Sequence, residues 1–361
     1  MDGSLIDIIL FAPLALIFGV ILFWFIQLLF IESQKYFLSQ ISQKHDALIR
    51  FSNFLGVLFQ TICHALGYTV TKSGISSFYV SVNYGRVSPK KVRKGLLEWT
   101  SNAFLFIGPF FIPSMLILIF LLFLIRSDSF LIYYTGYTFS DNFISFGINL
   151  YNFSSGFIGF LSSIDLLNPL HLGFLILIIV MGMGIRPSFI GEEKQEKVDM
   201  IYDLKNIKNN ILDKPIYILL LILISYIIFY ISILIEKNLF ITLFTILGWL
   251  SIISIISLVI AHMILLLIKF SDEINGILKL IPYITIPASY LSFRLIFFYF
   301  PISNQNNLSL IFTIFITSIV IIILIKKKTN KFKTKIDMDS LLKLGKGRSD
   351  EPRRIIRKRT N

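Results

Sequence analysis

An all-α polytopic membrane protein with about eight transmembrane helices is the fold class this sequence predicts, on three observations. The chain is 55% hydrophobic, with a mean hydropathy of +0.77. Only 15% of its 361 residues are charged, against about 25% in soluble domains. Those charges are clustered, and between the clusters lie apolar runs near the ~20 residues that cross a hydrocarbon core.

Hydropathy places the spans at 5–31, 51–70, 102–125, 166–185, 215–235, 239–268, 280–300 and 308–325. Together they make a membrane domain, 1–325, followed by a tail, 326–361. The first run is too long for a signal-peptide core and no small-residue cleavage site follows it, so it reads as a retained helix. The sixth is long enough to tilt or to extend beyond the bilayer. Basic residues then set the orientation. With the C-terminus in the cytoplasm, 28 of the 34 Lys and Arg fall inside. Lys35, Lys44, Arg50, Arg126 and Lys237 fall outside, and Arg294 lies in the seventh span. An even number of spans puts both termini in the cytoplasm, and the plasma membrane of a prokaryote is the expected location. The external segment 126–165 is rich in Tyr, Phe, Ser and Gly. It reads either as an interfacial helix near 144–161 or as an ordered loop.

Catalytic groups are scarce. The single cysteine, Cys63, excludes an internal disulfide and a multi-cysteine zinc site. Of four histidines, His45 lies outside the spans. His262 is expected to have a packing role, and His171, in NPLHLG, a packing role or a hydrogen bond at a helix start. His64 sits in FQTICHALGYTVTKSGI near the cytoplasmic end of the second span. After it come ISSFYVSVNYGRVSP, which predicts one or two short strands, the basic stretch KKVRKGLLEW, and a third span opening with SNAFLFIGPFFIPS.

This order resembles the site-2-protease-type integral-membrane zinc metalloproteases, an archaeal branch especially, over about residues 50–205. Those proteins carry H-E-L-G-H on a membrane helix, then a strand-rich segment with G-x-V, then a segment like A-P-F-F-x-x-S. The counterparts here are His64-Ala65-Leu66-Gly67-Tyr68, Gly85-Arg86-Val87 and Gly108-Pro109-Phe110-Phe111-Ile112-Pro113-Ser114. A later P-S-x-x-D is echoed by Pro187-Ser188-Phe189-Ile190-Gly191. Such a zinc site needs two imidazoles one helical turn apart and a carboxylate between them as general base. Against that pattern only the first imidazole, His64, survives. Ala65 stands at the base position, Tyr68 at the second ligand position, and Gly191, beside Glu192, at the third. One imidazole cannot hold a catalytic zinc, which takes three protein ligands and a water. Adjacent helix positions point about 100° apart, so Cys63 and His64 chelate one ion poorly.

The resemblance therefore implies a non-catalytic relative, with no metal and no cofactor, acting as a binding or scaffold protein. A transporter or channel component of unknown substrate is the alternative, although no internal repeat is evident and the seventh span holds no acidic residue to pair with Arg294. An active membrane metalloprotease is the third reading. The same residues also have a purely structural account, in which Gly67 and Gly74 permit close helix approach and Pro109 and Pro113 kink a helix start.

The charged segments suggest partners. Lys90, Lys91, Arg93 and Lys94 lie beside a span and read as contacts to anionic lipid headgroups, with a protein-partner site as the alternative. Segment 186–214 reads as an amphipathic helix with Met200, Ile201, Leu204 and Ile207 as its stripe, or as a docking surface. The tail opens with Lys326, Lys327 and Lys328 and holds 14 basic against four acidic residues. Its composition predicts disorder and attraction to an anionic leaflet. A second membrane protein is a further candidate partner. Nucleic acid is not expected, because Phe332 is the only aromatic that could stack there.

Overall fold

A single helix carries the first apolar run and continues ten residues past its predicted end. In the computed structural model this helix, α1, spans Ala12–Ile41, after a short helical stretch Gly3–Ile6 and a π-helical turn Asp7–Phe11. The structure describes residues 3–82, 84–125, 127–185, 215–235, 237–274, 276–300 and 304–349. Pro13 lies in the first turn of α1, where its missing N–H has no helical partner to lose. Beyond residue 31 the polar Glu32, Gln34 and Lys35 stay helical and are buried. Leu28, Ile31, Leu38 and Ile41 keep an apolar face at helical spacing, and the polar residues turn toward neighbouring helices rather than lipid.

Helix α2 (Asp46–Val70) follows after four residues. Strands β1 (Ile75–Val80) and β2 (Gly85–Pro89) then form an antiparallel hairpin, with Phe78 opposite Val87 and Val80 opposite Gly85. Helix α3 (Leu96–Leu124) contains Pro109 and Pro113. After a 3₁₀ turn (Ser127–Phe130) comes α4 (Phe139–Ser162), so segment 126–165 is largely helical, as one of the two expectations had it. Its start is a capping box: Thr138 accepts from the Asp141 N–H, and Asp141 accepts from the Thr138 N–H. Helix α5 (Pro169–Gly184) starts on an Asn168 cap. His171 Nδ1 accepts from the Asp165 N–H at 3.0 Å, the helix-start bond expected of it. Helices α6 (Pro215–Leu234) and α7 (Leu239–Asp272) complete the first unit, Met1–Leu266, which takes all but the end of α7.

The second unit, Leu267–Asn361, holds a 3₁₀ turn (Gly276–Leu280), α8 (Ile281–Tyr299) and α9 (Gln305–Ser349). Phe293, Phe297 and Phe312 pack α8 on α9 with ring centroids 5.0–6.0 Å apart. Arg294 donates to Gln305 Oε1 at 3.0 Å, so its partner comes from the neighbouring helix. The expected disorder of the tail differs from the backbone, which stays helical to Ser349. A spanning helix has already paid the nucleation cost, and each further residue adds a hydrogen bond.

Among the described residues the chain is thus mostly helical, with one small sheet. Among the described residues four segments are long and apolar enough to cross a membrane: Asp7–Ile41, Leu239–Asp272, Gly276–Tyr299 and Gln305–Lys327. Gly108–Leu124, Pro169–Gly184 and Ile222–Leu234 are shorter apolar helices. Helix α2, expected as the second span, falls in neither set.

One contact bears on the predicted orientation. The N-terminus and segment 126–165 are predicted on opposite faces of the membrane. Yet Asp7 Oδ2 accepts from the Phe139 N–H at 2.7 Å. A core about 30 Å thick cannot separate two atoms in a hydrogen bond.

Candidate functional site

The motif residues gather on α2. His64 and Tyr68 lie one helical turn apart and their rings overlap, with centroids 4.4 Å apart and planes tilted by 31°. His64 Nε2 is buried and has no hydrogen-bond partner among the described residues. Ala65 lies between them, half-buried. Glu98, in the first turn of α3, is close enough to act electrostatically on the Tyr68 phenol. Cys63 points elsewhere. It is fully buried, and a Cβ on Gly108 would lie 2.6 Å from its sulfur. The roughly 100° step between neighbouring positions thus sends the thiol into α3 and the imidazole to Tyr68.

The hairpin folds back along the same helix. A side chain at Gly85 would collide with Thr61 Oγ1 and Val57, so only glycine lets β2 come this close to α2. Phe78, Tyr79 and Tyr84 remain exposed on the hairpin, with the Tyr79 and Tyr84 rings 6.1 Å apart. At the end of α2 a hydroxyl cluster ties it to α3. Thr71 Oγ1 lies 2.9 Å from Ser73 Oγ and 3.0 Å from Ser101 Oγ, and donates to Gly67 O at 2.9 Å. A Cβ at Gly67 would stand 2.8 Å from Ser101 O. Lys90, Lys91, Arg93 and Lys94 are exposed between hairpin and α3. Lys326 and Lys327 are exposed on α9, in the second unit. The Lys328 side chain, Gly191, Glu192 and the 186–214 stripe lie outside the described residues.

A second polar cluster stands on α1, where the sequence reading saw a loop. Gln34 Nε2 donates to Gly182 O at 3.3 Å, and Ser52 Oγ donates to Met183 O at 3.1 Å. Two side chains therefore satisfy orphan carbonyls at the C-terminal end of α5, which is buried from Gly182 to Ile185. Gln27 Nε2 donates to Ser251 O at 3.2 Å, and Ser33 Oγ lies 2.9 Å from His262 Nε2. Phe30 and Phe37 meet the His262 ring edge-on, so its packing role includes one hydrogen bond. Lys35 Nζ lies 4.0 Å from Glu32 Oε1, both nearly inaccessible. No group of three His, Cys, Asp or Glu among the described residues is placed to hold a metal ion.

No protein-family model matches this chain, and neither a curated protein nor a solved structure is significantly similar to it. The site is therefore read from its own residues. Sequence reasoning missed Gln34, Ser52, Thr71 and Ser101. The available signal was the helical spacing of Leu28, Ile31, Leu38 and Ile41, which carries α1 through its polar residues.

Proposed function

We propose that this chain is a non-catalytic membrane protein of site-2-protease-type ancestry, which binds or scaffolds a partner at the α2 surface. One observation carries the reading. The three sequence blocks that resemble the family meet in space around one helix: α2 with His64 and Tyr68, the hairpin held against it through Gly85, and α3 against Cys63 and Gly67. The C-terminal end of α5, just before Pro187, meets the same helix at Ser52. On this reading Ala65 and Tyr68 replace base and ligand, and the imidazole of His64 packs on a phenol.

Eight spans were expected, and the partners proposed are anionic lipid headgroups at Lys90, Lys91, Arg93 and Lys94 and at the tail cations, with a second membrane protein at α2. The location proposed is the plasma membrane of a prokaryote, with the C-terminus in the cytoplasm.

Elemental analysis tests the chemistry. The purified protein is expected to hold no stoichiometric zinc, and about one zinc per chain, lost on His64→Ala, overturns the reading. The triple variant Ala65→Glu/Tyr68→His/Gly191→Asp restores the family's ligand set and is expected to take up zinc. Failure to do so in a folded protein counts against the ancestry. The buried Glu32–Lys35 pair favours a transporter component as the second reading, since ionisable groups at membrane depth mark such sites.

A further inference from the structure

Contacts within the first unit establish which helix ends share a face of the membrane. Helices α1 and α7 run side by side in the same direction. Ala12 and Leu16 share a cluster with Phe240 and Phe244. Further along, Gln27 meets Ser251, Leu28 and Ile31 meet Leu258, and Ser33 meets His262. At the α1 start, Asp7 accepts from Phe139, while the Tyr226 and Tyr230 hydroxyls donate to Leu10 O and Ile9 O. The starts of α1, α4 and α7 and the end of α6 therefore lie at one face.

The end of α1 lies at the other face, and α2 begins there after only four residues. Helix α3 returns antiparallel to α1, with Phe110 beside Trp24 and with Leu121 in the cluster that holds Leu16. Its start thus belongs to the face where α1 ends. The end of α2 packs on that start, Gly67 against Ser101. Helix α2 begins and ends at the same face.

We infer that α2 does not cross the membrane, that the chain crosses it seven times, and that the N-terminus lies outside while the C-terminus lies in the cytoplasm. Two independent observations agree. The described helices long or apolar enough to be spans are the four long segments and three shorter ones, and α2 is in neither set. The charges, which played no part in the contacts, also fall into place. Moving Lys35, Lys44 and Arg50 to the cytoplasmic side changes the division from 28 against 5 to 31 against 2, with only Arg126 and Lys237 outside. This topology does not depend on the ancestry proposed above. It assigns His64, Tyr68, the hairpin and the polar cluster of α1 to the cytoplasmic half, so a partner of that surface approaches from the cytoplasm.

Cysteine labelling tests it in the full chain. Ser4→Cys, Gln43→Cys, Ser140→Cys and Thr360→Cys are each made in a Cys63→Ser background and treated with a membrane-impermeant maleimide. Ser4→Cys and Ser140→Cys are expected to label in intact cells. Gln43→Cys and Thr360→Cys are expected to label only after permeabilisation. Protection of Ser4→Cys in intact cells, or labelling of Gln43→Cys there, overturns the inference. Should Cys63→Ser fail to accumulate, the same positions are read with Cys63 in place, whose burial keeps its own labelling low. The zinc measurements and these labels are separate, so either proposal can fail alone.

Discussion

Around the start of α1 the first unit is packed mainly by aromatic rings, whereas around its end polar side chains also reach backbone carbonyls of neighbouring helices. Phe153 is fully buried, stacked on Trp249 at 5.3 Å and flanked by Phe130 and Phe157. Phe146, Phe157, Phe174, Phe229 and Phe240 continue that cluster across α4, α5, α6 and α7. At the other end, beside the contacts of Leu28 and Ile31 with Leu258, Gln27, Gln34 and Ser52 donate to backbone carbonyls and Ser33 bonds with His262. Lipid tails are as apolar as side chains, so helices gain little by hiding apolar surface from them; close packing and interhelical hydrogen bonds hold them together. The difference teaches that the ring-packed end resists change of volume, whereas the hydrogen-bonded end resists change of chemistry.

Substitutions at two positions sharpen that contrast. Phe153→Ala empties the centre of the ring cluster and is expected to cost about 3–5 kcal/mol, read as a fall in the midpoint of denaturant unfolding in detergent. A conservative Phe153→Leu should recover most of it, and equal losses for both would show that volume is not what the cluster senses. Ser52→Ala removes one bond to the α5 end and leaves Met183 O unsatisfied, at about 1 kcal/mol. Ser52→Cys is not expected to recover it, because the larger thiol supplies only a weak donor at this fully buried position. Recovery by Ser52→Cys to wild-type stability would count against the hydrogen-bond account.

The smallest effect concerns Tyr134, in the loop ahead of α4. Burial, reinforced by the neighbouring Tyr137 and Asp141, pushes its phenol well above the ordinary value of about 10. Because the folded value is raised, its contribution is fully present below about pH 10 and is lost as pH rises and the unfolded chain ionises. Tyr134→Phe should flatten the alkaline fall in stability. An unchanged alkaline slope in that variant would assign the fall to other groups.

Much of this architecture was legible in the sequence, and the failures share a cause. The hairpin could be read from ISSFYVSVNYGRVSP, and the His171 helix start from NPLHLG, because both are local patterns of backbone preference. The second half of α1 could not be read by hydropathy. A window average treats Glu32, Gln34 and Lys35 as solvent-loving, but each is turned inward, and Glu32 and Lys35 lie 4.0 Å apart. Helix α2 erred the other way, since Leu55, Phe59 and Phe51 raise its average while Asn53, Gln60 and His64 lie among them. On the topology inferred above, it does not cross, and the side assigned to everything before it is reversed. At the site, the pairing of His64 with Tyr68 followed from helical spacing. The Thr71–Ser73–Ser101 cluster did not, because hydroxyls 30 residues apart in sequence carry no local signal.

The reach of the α1 bonds also sets an order of assembly during synthesis. Gln34 is separated from Gly182 by 148 residues, and Gln27 from Ser251 by 224. At ~5–20 residues per second, a ribosome adds the partner of Gln34 roughly 7–30 s after Gln34 itself, and that of Gln27 later still. Through that interval the amides of α1 can be satisfied only by water or headgroups, so this end of α1 stays near the aqueous boundary until α5 and α7 arrive. Closure of this end of α1 therefore reports that the chain up to α7 has been made.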